Sequence, residues 1–397
     1  MWQKIKNQYH LFMAVLANAA YLFPTRKIKV IGVTGTDGKT TTVSLIYHIL
    51  SANNFRVSMV TSIGAVINNK NFDIGFHVTT PSSFSLQKLI KMTSIKETDY
   101  FILEVTSHAI DQNRIYGIPF EIGVLTNVTN EHLDYHKTYK NYLYTKLKLI
   151  FKAKIGIVNF DDDSYSYISK LKETNKNHKL LTFGLSDKAD INPNNFNLGA
   201  VNFKDKFNQY NLLAAVAAVR QLGVTNNQII NALKVFKMPI GRMQTIYDKD
   251  FKVVIDFAHT PNAFYQILSY FRPIIKGKII HVFGSAGERD AKKRPILGKT
   301  SSEYSDVLIL TAEDPRSENV DKIINEISVG IKNEKVNILK IPNRKKAIEE
   351  AVKMAKKNDL IIITGKAHEK SMNMGNGEEA WDEFSVVEKA LKIHEKN

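Results

Sequence analysis

The chain is 397 residues long, with 44% hydrophobic residues, 55 basic and 39 acidic residues, a formal net charge of +16 and no cysteine. This length exceeds what one hydrophobic core usually serves, so we expect two or three domains. The absence of cysteine excludes disulfides, thiol catalysis and cysteine-ligated zinc. The basic residues are dispersed rather than grouped with aromatic residues. That pattern favours a solvated surface over a dedicated interface for nucleic acid, membrane or acidic substrates.

The first predicted element is an apolar or amphipathic helix in residues 1–27. Early lysines, an apolar run and the triplet Ala17-Asn18-Ala19 imitate a signal peptide. A core strand begins almost at once, at Lys29, which argues against that interpretation. The apolar run of residues 11–23 is too short to cross a bilayer. We therefore expect a helix that packs on the first domain or lies on a membrane surface.

The stretch "VIGVTGTDGKTTT", residues 30–42, has the character of a phosphate-binding loop. A strand-like run precedes it and a helix-like run follows, although only two residues separate its second and third glycines, where the strict pattern has four. Glycines let backbone N–H groups close around a phosphate, and the helix N-terminus adds its positive dipole. A plain glycine turn is the alternative. The candidate ATP-binding residues here are Gly35, Thr36, Asp37, Gly38, Lys39, Thr40 and Thr41.

Two further candidates follow later strands. Glu104 ends an apolar run in "FILEVTSHAIDQNR", and His132 lies just beyond another in "GVLTNVTNEHLDYH". Alone, a glutamate at a strand end is usually an ion-pair partner and a histidine is usually on the surface. Beside a phosphate loop that neutralises phosphates with Lys39 and offers the Thr40 hydroxyl, they indicate Mg²⁺ ligands, since Mg²⁺ takes few protein ligands and relies on phosphate oxygens.

Apolar strand-like runs alternate with helical stretches, such as residues 42–53 and 209–222, along nearly the whole chain. The runs are "KVIGVTG", "YFILEVTS", "EIGVLTNV", "KIGIVNF", "KVVIDFAH", "KIIHVFGS", "VLILTAEDP" and "LIIITGKAHE". This alternation predicts an α/β fold with parallel sheets covered by helices. A stretch with proline and glycine, "FKMPIGRMQ", places a boundary near Pro239. We predict a P-loop-type central ATPase domain with a mostly parallel sheet in residues 28–239, and a C-terminal Rossmann-like α/β domain in residues 240–397.

An ordered series of motifs resembles the Mur ligase family, and within it the ligases that add the third amino acid of the peptidoglycan stem peptide. The motifs are "TGTDGKTTT", "TTPSSFSLQ", "EVTSHAIDQNR", "TNVTNEHLDYH", "FNQYNLLAA", "GRMQ", "DFAHTPNA", "FGSAGERDAKKRP", "AEDPRSE" and "GKAHE". The resemblance implies a cytoplasmic enzyme that uses ATP and Mg²⁺ to form an amide bond through an acyl phosphate. It implies no nucleic-acid partner, and we expect a monomer.

The resemblance also assigns residues. The implied catalytic and metal-binding residues are Lys39, Glu104, His132 and Lys146, with Thr40 on the metal and Lys146 carbamylated. The implied nucleotide contacts outside the loop are Asn208, Asn211, Arg242, Asp256 and His259. The implied muramoyl-peptide contacts are Thr79, Thr80, Thr106, Ser107, Gln112 and Arg114. The implied contacts in the C-terminal, amino-acid-binding domain are Asp314, Arg316, Gly365 and Glu369.

These assignments have plainer alternatives. Lys146 could be a surface lysine, the asparagines could be helix caps, and the threonines and glutamine could belong to caps and turns. In the family an arginine in the position of Arg316 marks enzymes that take meso-diaminopimelate, because a guanidinium can pair with its distal carboxylate. A surface ion pair between Arg316 and Glu318 is the alternative.

The chain also departs from the family pattern. Only residues 1–27 precede the ATPase core, where the family has a domain that grips the uridine nucleotide. Either UDP recognition is lost, or the acceptor is UDP-free or lipid-linked. The segment of residues 190–207 is short, Asp37 replaces an asparagine, and Ala367 replaces a glycine of the last motif. Two other classes remain open: a folylpolyglutamate-type ligase, and a Mur-like partner subunit of an amidotransferase complex.

Overall fold

The computed structural model describes residues 2–75, 78–94, 98–174 and 177–396. The chain divides into two compact units. The first contains Met1–Asn130 and His136–Lys237, and the second contains Glu131–Tyr135 and Met238–Asn397.

The first unit is built on one sheet. Its strands are β1 (Lys29–Thr34), β2 (Val57–Thr61), β3 (Gly64–Ile67), β4 (Lys70–Phe72), β5 (Tyr100–Glu104), β6 (Phe120–Leu125), β7 (Ile155–Asn159) and β8 (Lys179–Phe183). Within the described residues, these eight strands lie in the order β4-β3-β2-β5-β1-β6-β7-β8. The pairs from β2 to β8 are parallel, and β3 and β4 add an antiparallel edge. β1 lies in the middle and is buried after its first residue, which explains its continuous apolar sequence.

Helices cover both faces of this sheet. They are α1 (Trp2–Ala20), α2 (Lys39–Ala52), α3 (Ser83–Ser94), α4 (Ser107–Asp111), α5 (Leu133–His136), α6 (Tyr139–Lys152), α7 (Tyr165–Thr174), α8 (Lys206–Arg220) and α9 (Asn226–Leu233), with 3-10 turns at Pro24–Lys27 and Leu198–Ala200. α5 crosses the division between the units, since only its last residue groups with the first. The side chains of α2 and α8 pack into the main core on one face, and those of α3 pack on the other.

The second unit repeats this architecture. Its strands are β9 (Gln244–Asp248), β10 (Lys252–Asp256), β11 (Ile279–Phe283), β12 (Val307–Leu310), β13 (Asn337–Lys340), β14 (Leu360–Thr364), β15 (Ser371–Asn373) and β16 (Glu378–Ala380). Its helices are α10 (Pro261–Phe271), α11 (Lys293–Tyr304), α12 (Val320–Ser328), α13 (Arg344–Met354) and α14 (Glu383–His394). The main sheet has the order β13-β12-β11-β14-β10-β9 and is parallel except for β9, while β15 and β16 form a separate hairpin.

The eight apolar runs in the sequence are the strands β1, β5, β6, β7, β10, β11, β12 and β14. The predicted α/β fold class, with mostly parallel sheets, is therefore confirmed. The helix predicted at residues 42–53 starts earlier, at Lys39, directly after the glycines. The antiparallel edge of β3 and β4 was not predicted, because strands of four and three residues give too short a pattern. Of the helices described, none combines the length and apolar character of a membrane span.

Candidate active site

The phosphate loop lies between the end of β1 and the start of α2, at the carboxyl edge of the sheet. Gly35 and Gly38 have positive φ angles of +153° and +81°. A Cβ at Gly35 would lie 1.8 Å from Thr126 Oγ1, and one at Gly38 would lie 2.0 Å from Asn211 Oδ1. Only glycine fits at either position. The loop therefore has the glycine backbone that lets N–H groups close around a phosphate.

The strand next to β1 supplies the loop's support. Thr126 Oγ1 and Asn127 Nδ2 donate to the carbonyl of Asp37, at 2.7 and 3.2 Å, and Asp37 N donates to Asn127 Oδ1 at 2.9 Å. Both residues directly follow β6. Neither residue was predicted from the sequence, although both lie in the quoted motif "TNVTNEHLDYH". Backbone groups of the loop are thereby held in one conformation.

Two lysines flank the loop. Lys39 Nζ donates to the carbonyl of Thr36 at 2.7 Å, and Lys146 Nζ, from α6, donates to that of Gly35 at 2.7 Å. Lys146 is 1% exposed, so it is not a surface lysine. Burial holds the pKa of Lys146 well below its usual value, Lys39 lowers it further, and Asp37 opposes the shift. The amine of Lys146 is therefore in an environment that favours its neutral, nucleophilic form.

A set of oxygen ligands lies beside the loop. Thr40 Oγ1 donates to Glu104 Oε2 at 2.9 Å, and Ser62 N donates to the same carboxylate oxygen at 3.0 Å. Among the described residues, no group of three or more His, Asp or Glu side chains could hold a metal ion by itself. Hydroxyl and carboxylate oxygens suit Mg²⁺, which completes its coordination with phosphate oxygens and water.

Asn208 and Asn211 lie on the first turns of α8, and both are buried. The N-cap of α8 is Asp205, whose side chain accepts from Asn208 N at 2.8 Å, so neither asparagine is the cap. Asn211 Nδ2 donates to Asn208 Oδ1 at 3.1 Å and Asn211 faces Gly38. The structure therefore brings this pair against the phosphate loop.

The predicted acceptor residues form a second group in the same unit. Thr80 Oγ1 donates to the carbonyl of Glu104 at 2.9 Å and accepts from Thr106 N at 3.0 Å. Arg114 Nη1 donates to the carbonyl of Thr80 at 3.1 Å, and its Nε and Nη2 both donate to Gln112 Oε1. This group is therefore continuous with Glu104.

Three members of that set differ in their surroundings. Thr106 is the N-cap of α4, accepting from Ala109 N at 3.1 Å, so the cap alternative describes its present contact. Ser107 is buried at the start of the same helix. Thr79 is half-buried.

In the second unit, Arg242 and His259 lie against the ring of Phe257, the residue that follows Asp256. The guanidinium of Arg242 lies 4.8 Å from the centre of the Phe257 ring, and the ring of His259 lies 4.9 Å from it. Asp256, at the end of β10, accepts from Met243 N and Ala258 N, both at 2.7 Å. The carboxylate is therefore fixed by backbone N–H groups.

The residues predicted to bind the incoming amino acid follow the ends of β12 and β14. Lys366 Nζ donates to both carboxylate oxygens of Asp314 at 2.9 Å and to Glu369 Oε2 at 2.7 Å. A Cβ on Gly365 would lie 2.3 Å from Glu313 Oε2. Burial raises the pKa of Glu313 to about 7, with Arg344 and Lys293 acting against the shift. Glu313 and Lys366 were not predicted from the sequence, although both lie in the quoted motifs.

Arg316 does not form the surface ion pair with Glu318 that was the alternative. Glu318 is held by Arg294, whose two terminal nitrogens donate at 2.9 and 3.0 Å, and that contact lowers the pKa of Glu318 to about 2. Arg316 Nη1 donates to the carbonyl of Gly287 at 2.7 Å. Burial lowers the pKa of the nearby Arg289, and Arg316 lowers it further, so two guanidinium groups lie close together.

The backbone at this site is strained. Asp314 and Arg316 have φ angles of +43° and +54°, and Ala367 has a φ of +40°. Each non-glycine residue in this region costs on the order of 1–3 kcal/mol, and such residues cluster at functional sites. Ala367 therefore occupies a conformation that favours the glycine of the family pattern.

His132 lies in the segment Glu131–Tyr135, which groups with the second unit, and its φ is +55°. The preceding residue, Glu131, accepts from Lys293 Nζ at 2.9 Å in a buried ion pair. Thr40, Glu104 and Lys146 all belong to the first unit. The structure thus brings these three metal-site candidates into one unit and holds His132 through its neighbour Glu131.

Both units of the chain are similar to known proteins. Residues 33–233 match the Mur ligase middle domain, and residues 241–367 match the domain described as Mur ligase, glutamate ligase domain. UDP-N-acetylmuramoyl-L-alanyl-D-glutamate–2,6-diaminopimelate ligase 1 of Clostridium acetobutylicum is 36% identical over 400 residues, which cover 96% of this chain and 81% of that protein. UDP-N-acetylmuramyl-tripeptide synthetase of Borreliella afzelii is 36% identical over 419 residues, covering 97% and 81%.

Solved structures show the same similarity. One of a UDP-N-acetylmuramoyl-L-alanyl-D-glutamate–2,6-diaminopimelate ligase has a TM-score of 0.61 at 25% identity, and covers 98% of this chain and 83% of that one. E. coli FolC in complex with DHPP and ADP has a TM-score of 0.71 at 18% identity, covering 96% and 92%, a likeness of fold alone. Since both units match the family in order and the relatives align over nearly the whole chain, this chain belongs to the Mur ligase family.

Proposed function

We propose that this chain is an ATP-dependent ligase of peptidoglycan precursor synthesis that joins a diamino acid to a muramoyl dipeptide. One observation carries the proposal: a phosphate loop with Thr40 bonded to a buried glutamate, in a chain 36% identical to a diaminopimelate ligase. Small-molecule substrates, ATP and a cytoplasmic setting follow from this activity.

The reaction proceeds in two balanced steps. A carboxylate oxygen of the acceptor attacks the γ-phosphorus of ATP and ADP leaves, which gives an acyl phosphate. The amine nitrogen of the amino acid then attacks the carbonyl carbon, and the tetrahedral intermediate expels phosphate while the nitrogen loses a proton. Positioning and charge neutralisation are the main demands of such chemistry.

The first unit supplies those two requirements. Lys39 and the N-terminus of α2 neutralise charge on the phosphates. Thr40 and Glu104 would hold Mg²⁺, which when bound would add further neutralisation of the transferring phosphoryl group. Thr80 donates to the carbonyl of Glu104, and Arg114 donates to the carbonyl of Thr80. These two residues would hold the dipeptide of the acceptor beside the loop.

The second unit supports meso-diaminopimelate as the incoming amino acid. The distal end of meso-diaminopimelate carries both a carboxylate and an ammonium group. Arg316 and Arg289 provide adjacent cations, and Glu313, Asp314 and Glu369 provide acidic groups at neighbouring strand ends. Lysine has an ammonium group but no carboxylate at its distal end, so a guanidinium placed there would have no carboxylate to bind.

The proposal is tested by phosphate release from ATP with a matrix of substrates. The acceptors are UDP-muramoyl dipeptide, the UDP-free muramoyl dipeptide and a folate, and the amines are meso-diaminopimelate, lysine and glutamate. We expect turnover with a muramoyl dipeptide and meso-diaminopimelate. Activity with folate and glutamate alone would indicate the folylpolyglutamate-type alternative and contradict the proposal.

The amino-acid assignment has its own variant. We expect Arg316→Ala to raise the KM for meso-diaminopimelate by about 10-fold or more, because a charge-assisted bidentate contact is lost. The KM for ATP should stay unchanged. Arg56→Ala is the matched control, because Arg56 lies 55% exposed in a surface pair with Asp99. An unchanged KM for meso-diaminopimelate in Arg316→Ala would remove the assignment.

We also propose that the chain is a monomer that contacts membranes peripherally through α1. The outward face of this helix exposes Tyr9, Phe12 and Leu16, at 59%, 60% and 41%, and no acidic residue precedes Asp37. An apolar face with basic neighbours suits an anionic bilayer surface. Co-sedimentation with phosphatidylglycerol vesicles should occur and should fall on Phe12→Glu, whereas Ile274→Glu, at a 55% exposed position in the second unit, should not change it.

The oligomeric state is tested separately. Light scattering that shows a dimer would contradict the monomer.

A further inference from the structure

Two histidines of the quoted motifs have no role in the proposed reaction. His136 ends "HLDYH", and His108 follows Ser107 in "EVTSHAIDQNR". His136 is 6% exposed, and its Nε2 lies 3.0 Å from Ser107 Oγ. The rings of His108 and His136 are 5.7 Å apart. A buried histidine therefore holds the first residue of the acceptor helix α4.

The ring of His136 also packs on Tyr142, at a centroid distance of 5.1 Å. Tyr142 is 2% exposed and lies on α6, one turn before Lys146. Because residues four apart share a helix face, the Nζ of Lys146 comes to 4.4 Å from the centre of the Tyr142 ring. One aromatic ring therefore touches both His136 and the buried lysine.

The hydroxyl of Tyr142 reaches the phosphate loop. Its oxygen lies 3.3 Å from Thr36 Oγ1, which also accepts from Thr129 N at 3.0 Å. The carbonyl of Thr36 accepts from Lys39 Nζ. A separation of 3.3 Å is long for two hydroxyl oxygens, so a small movement of the loop would tighten or break this contact.

Thr36, Tyr142, His136 and Ser107 thus form a continuous path of buried side chains, which we call the Tyr142 path. All four belong to the first unit. One end lies in the nucleotide loop and the other in the acceptor helix. Closely packed interiors favour discrete arrangements over continuous deformation, so these contacts provide a physical route by which a rearrangement at one end would affect the other.

We propose that Tyr142 and His136 are positioning residues that couple nucleotide binding at Thr36 to the placement of Ser107 for the acceptor. This inference rests on the proposed function for the identity of the acceptor, but not for the coupling itself. Loop closure on the nucleotide draws the Thr36 hydroxyl towards Tyr142, and His136 then holds Ser107 in its binding position. Acceptor and nucleotide consequently bind more tightly together than separately.

The test measures the dissociation constant of ADP with Mg²⁺ for the full chain, with and without saturating UDP-muramoyl dipeptide. For the unmodified chain we expect the acceptor to tighten ADP binding by about 5-fold or more. Tyr142→Phe keeps the ring against His136 and Lys146 but removes the hydroxyl. The ratio of the ADP dissociation constants without and with the acceptor measures the coupling. In this variant we expect that ratio to fall below about 2-fold, while the affinity for ADP alone changes little.

Tyr139→Phe is the matched control. Tyr139 lies on the same helix, and its hydroxyl donates to the carbonyl of Val128 at 3.3 Å. It should keep the full ratio. His136→Gln, which retains a polar group near the position of Nε2, should keep more of the ratio than His136→Leu. A ratio near one in the unmodified chain, or an unchanged ratio in Tyr142→Phe, would overturn the coupling.

A second readout needs no acceptor. Amide hydrogen exchange in residues 105–114 should slow when ADP binds to the unmodified chain, and the slowing should be lost in Tyr142→Phe and retained in Tyr139→Phe. If this pattern appears but no muramoyl dipeptide binds, the coupling stands and the proposed acceptor is wrong. If ADP slows exchange in Tyr142→Phe as much as it does in the unmodified chain, the coupling is wrong and the proposed function is unaffected.

Discussion

Gly38 of the phosphate loop packs tightly against the side chain of Asn211. An added Cβ would lie 2.0 Å from Asn211 Oδ1, at a φ of +81°. We expect Gly38→Ala to bind ADP at least about 10-fold more weakly by calorimetry, because the loop must move to relieve the clash. Gly223→Ala is the control, since φ is +86° there but no atom lies within 4 Å of the new Cβ. Equal ADP affinity in both variants would contradict a nucleotide site at this loop.

Lys146 combines complete burial with a lowered pKa, and a neutral amine is the form that reacts with carbon dioxide. Together with the family resemblance, this predicts a carbamate on Lys146. Incubation with ¹³C-bicarbonate should give a carbamate signal by NMR and should raise activity. Lys146→Met should abolish both effects. Lys148→Met, at an exposed position on the same helix, should keep them. A signal of equal size in Lys146→Met would place the modification on another residue, and no signal in the unmodified chain would contradict the carbamate.

Several contacting residues at the site could not be assigned from the sequence. Thr126 and Asn127 hold the loop, Ser62 shares Glu104, and Glu313 lies against Gly365. Threonine, asparagine and serine are common in turns, so their types carry no signal of a support role. Their role depends on which strand end lies beside which, and that is a property of the sheet.

In the second unit, the first residue of α13 contacts the ends of the two strands that precede the predicted amino-acid-binding residues. Arg344, at its start, donates to the carbonyls of Ala312 and Thr364 at 3.2 and 2.7 Å, and pairs with the fully buried Glu383 of α14. These contacts join the ends of β12 and β14, which lead into Asp314 and Gly365. A buried guanidinium thus fixes the spacing of two strands and compensates the charges nearby.

β11 carries a buried histidine that makes this core sensitive to acid. His281 lies between Ser301 Oγ and Thr364 Oγ1, at 2.6 and 2.9 Å. Burial, with a smaller effect of Arg344, lowers the pKa of His281 to about 3. An unfolded histidine titrates near pH 6.5, so between about pH 6.5 and 3 the unfolded chain binds a proton that the folded chain does not. Stability must therefore fall as the pH falls through this window.

We expect that this one side chain contributes a loss on the order of 4–5 kcal/mol in the free energy of unfolding between pH 7 and pH 3. Urea unfolding of His281→Gln should show a shallower dependence on pH than the unmodified chain, even if its stability at pH 7 is lower. Ile274→Gln, which changes a non-titratable side chain at a 55% exposed position in the second unit, should keep the original dependence. A parallel dependence in His281→Gln and the unmodified chain would contradict the neutral buried state.

For the molecule as a whole, the net charge of +16 raises the question of nucleic-acid binding. Because the basic residues are dispersed, we expect only non-specific, salt-sensitive binding to a DNA duplex. Fluorescence anisotropy at about 150 mM salt should give a dissociation constant no tighter than about 1 μM, weakening steeply as salt is added. Nanomolar affinity that persists at about 300 mM salt would instead indicate a nucleic-acid-binding surface.

The sequence by itself determined the α/β class, the eight principal strands and the family. Each of these is written in a local pattern: a continuous apolar run gives a parallel strand buried on both faces, and glycines between a strand and a helix give a phosphate loop. Such patterns need only neighbouring residues, so they can be recognised without knowing the fold.

Only the tertiary structure decided which residues meet at the site. It placed Asn211 against Gly38, paired Glu318 with Arg294 rather than Arg316, and put Tyr142 between the loop and Ser107. These partners are far apart in the chain, and the contact between them depends on strand order, helix packing and burial. The physical reason is that a local pattern specifies an element, whereas the neighbours of an element are selected by the packing of the whole core.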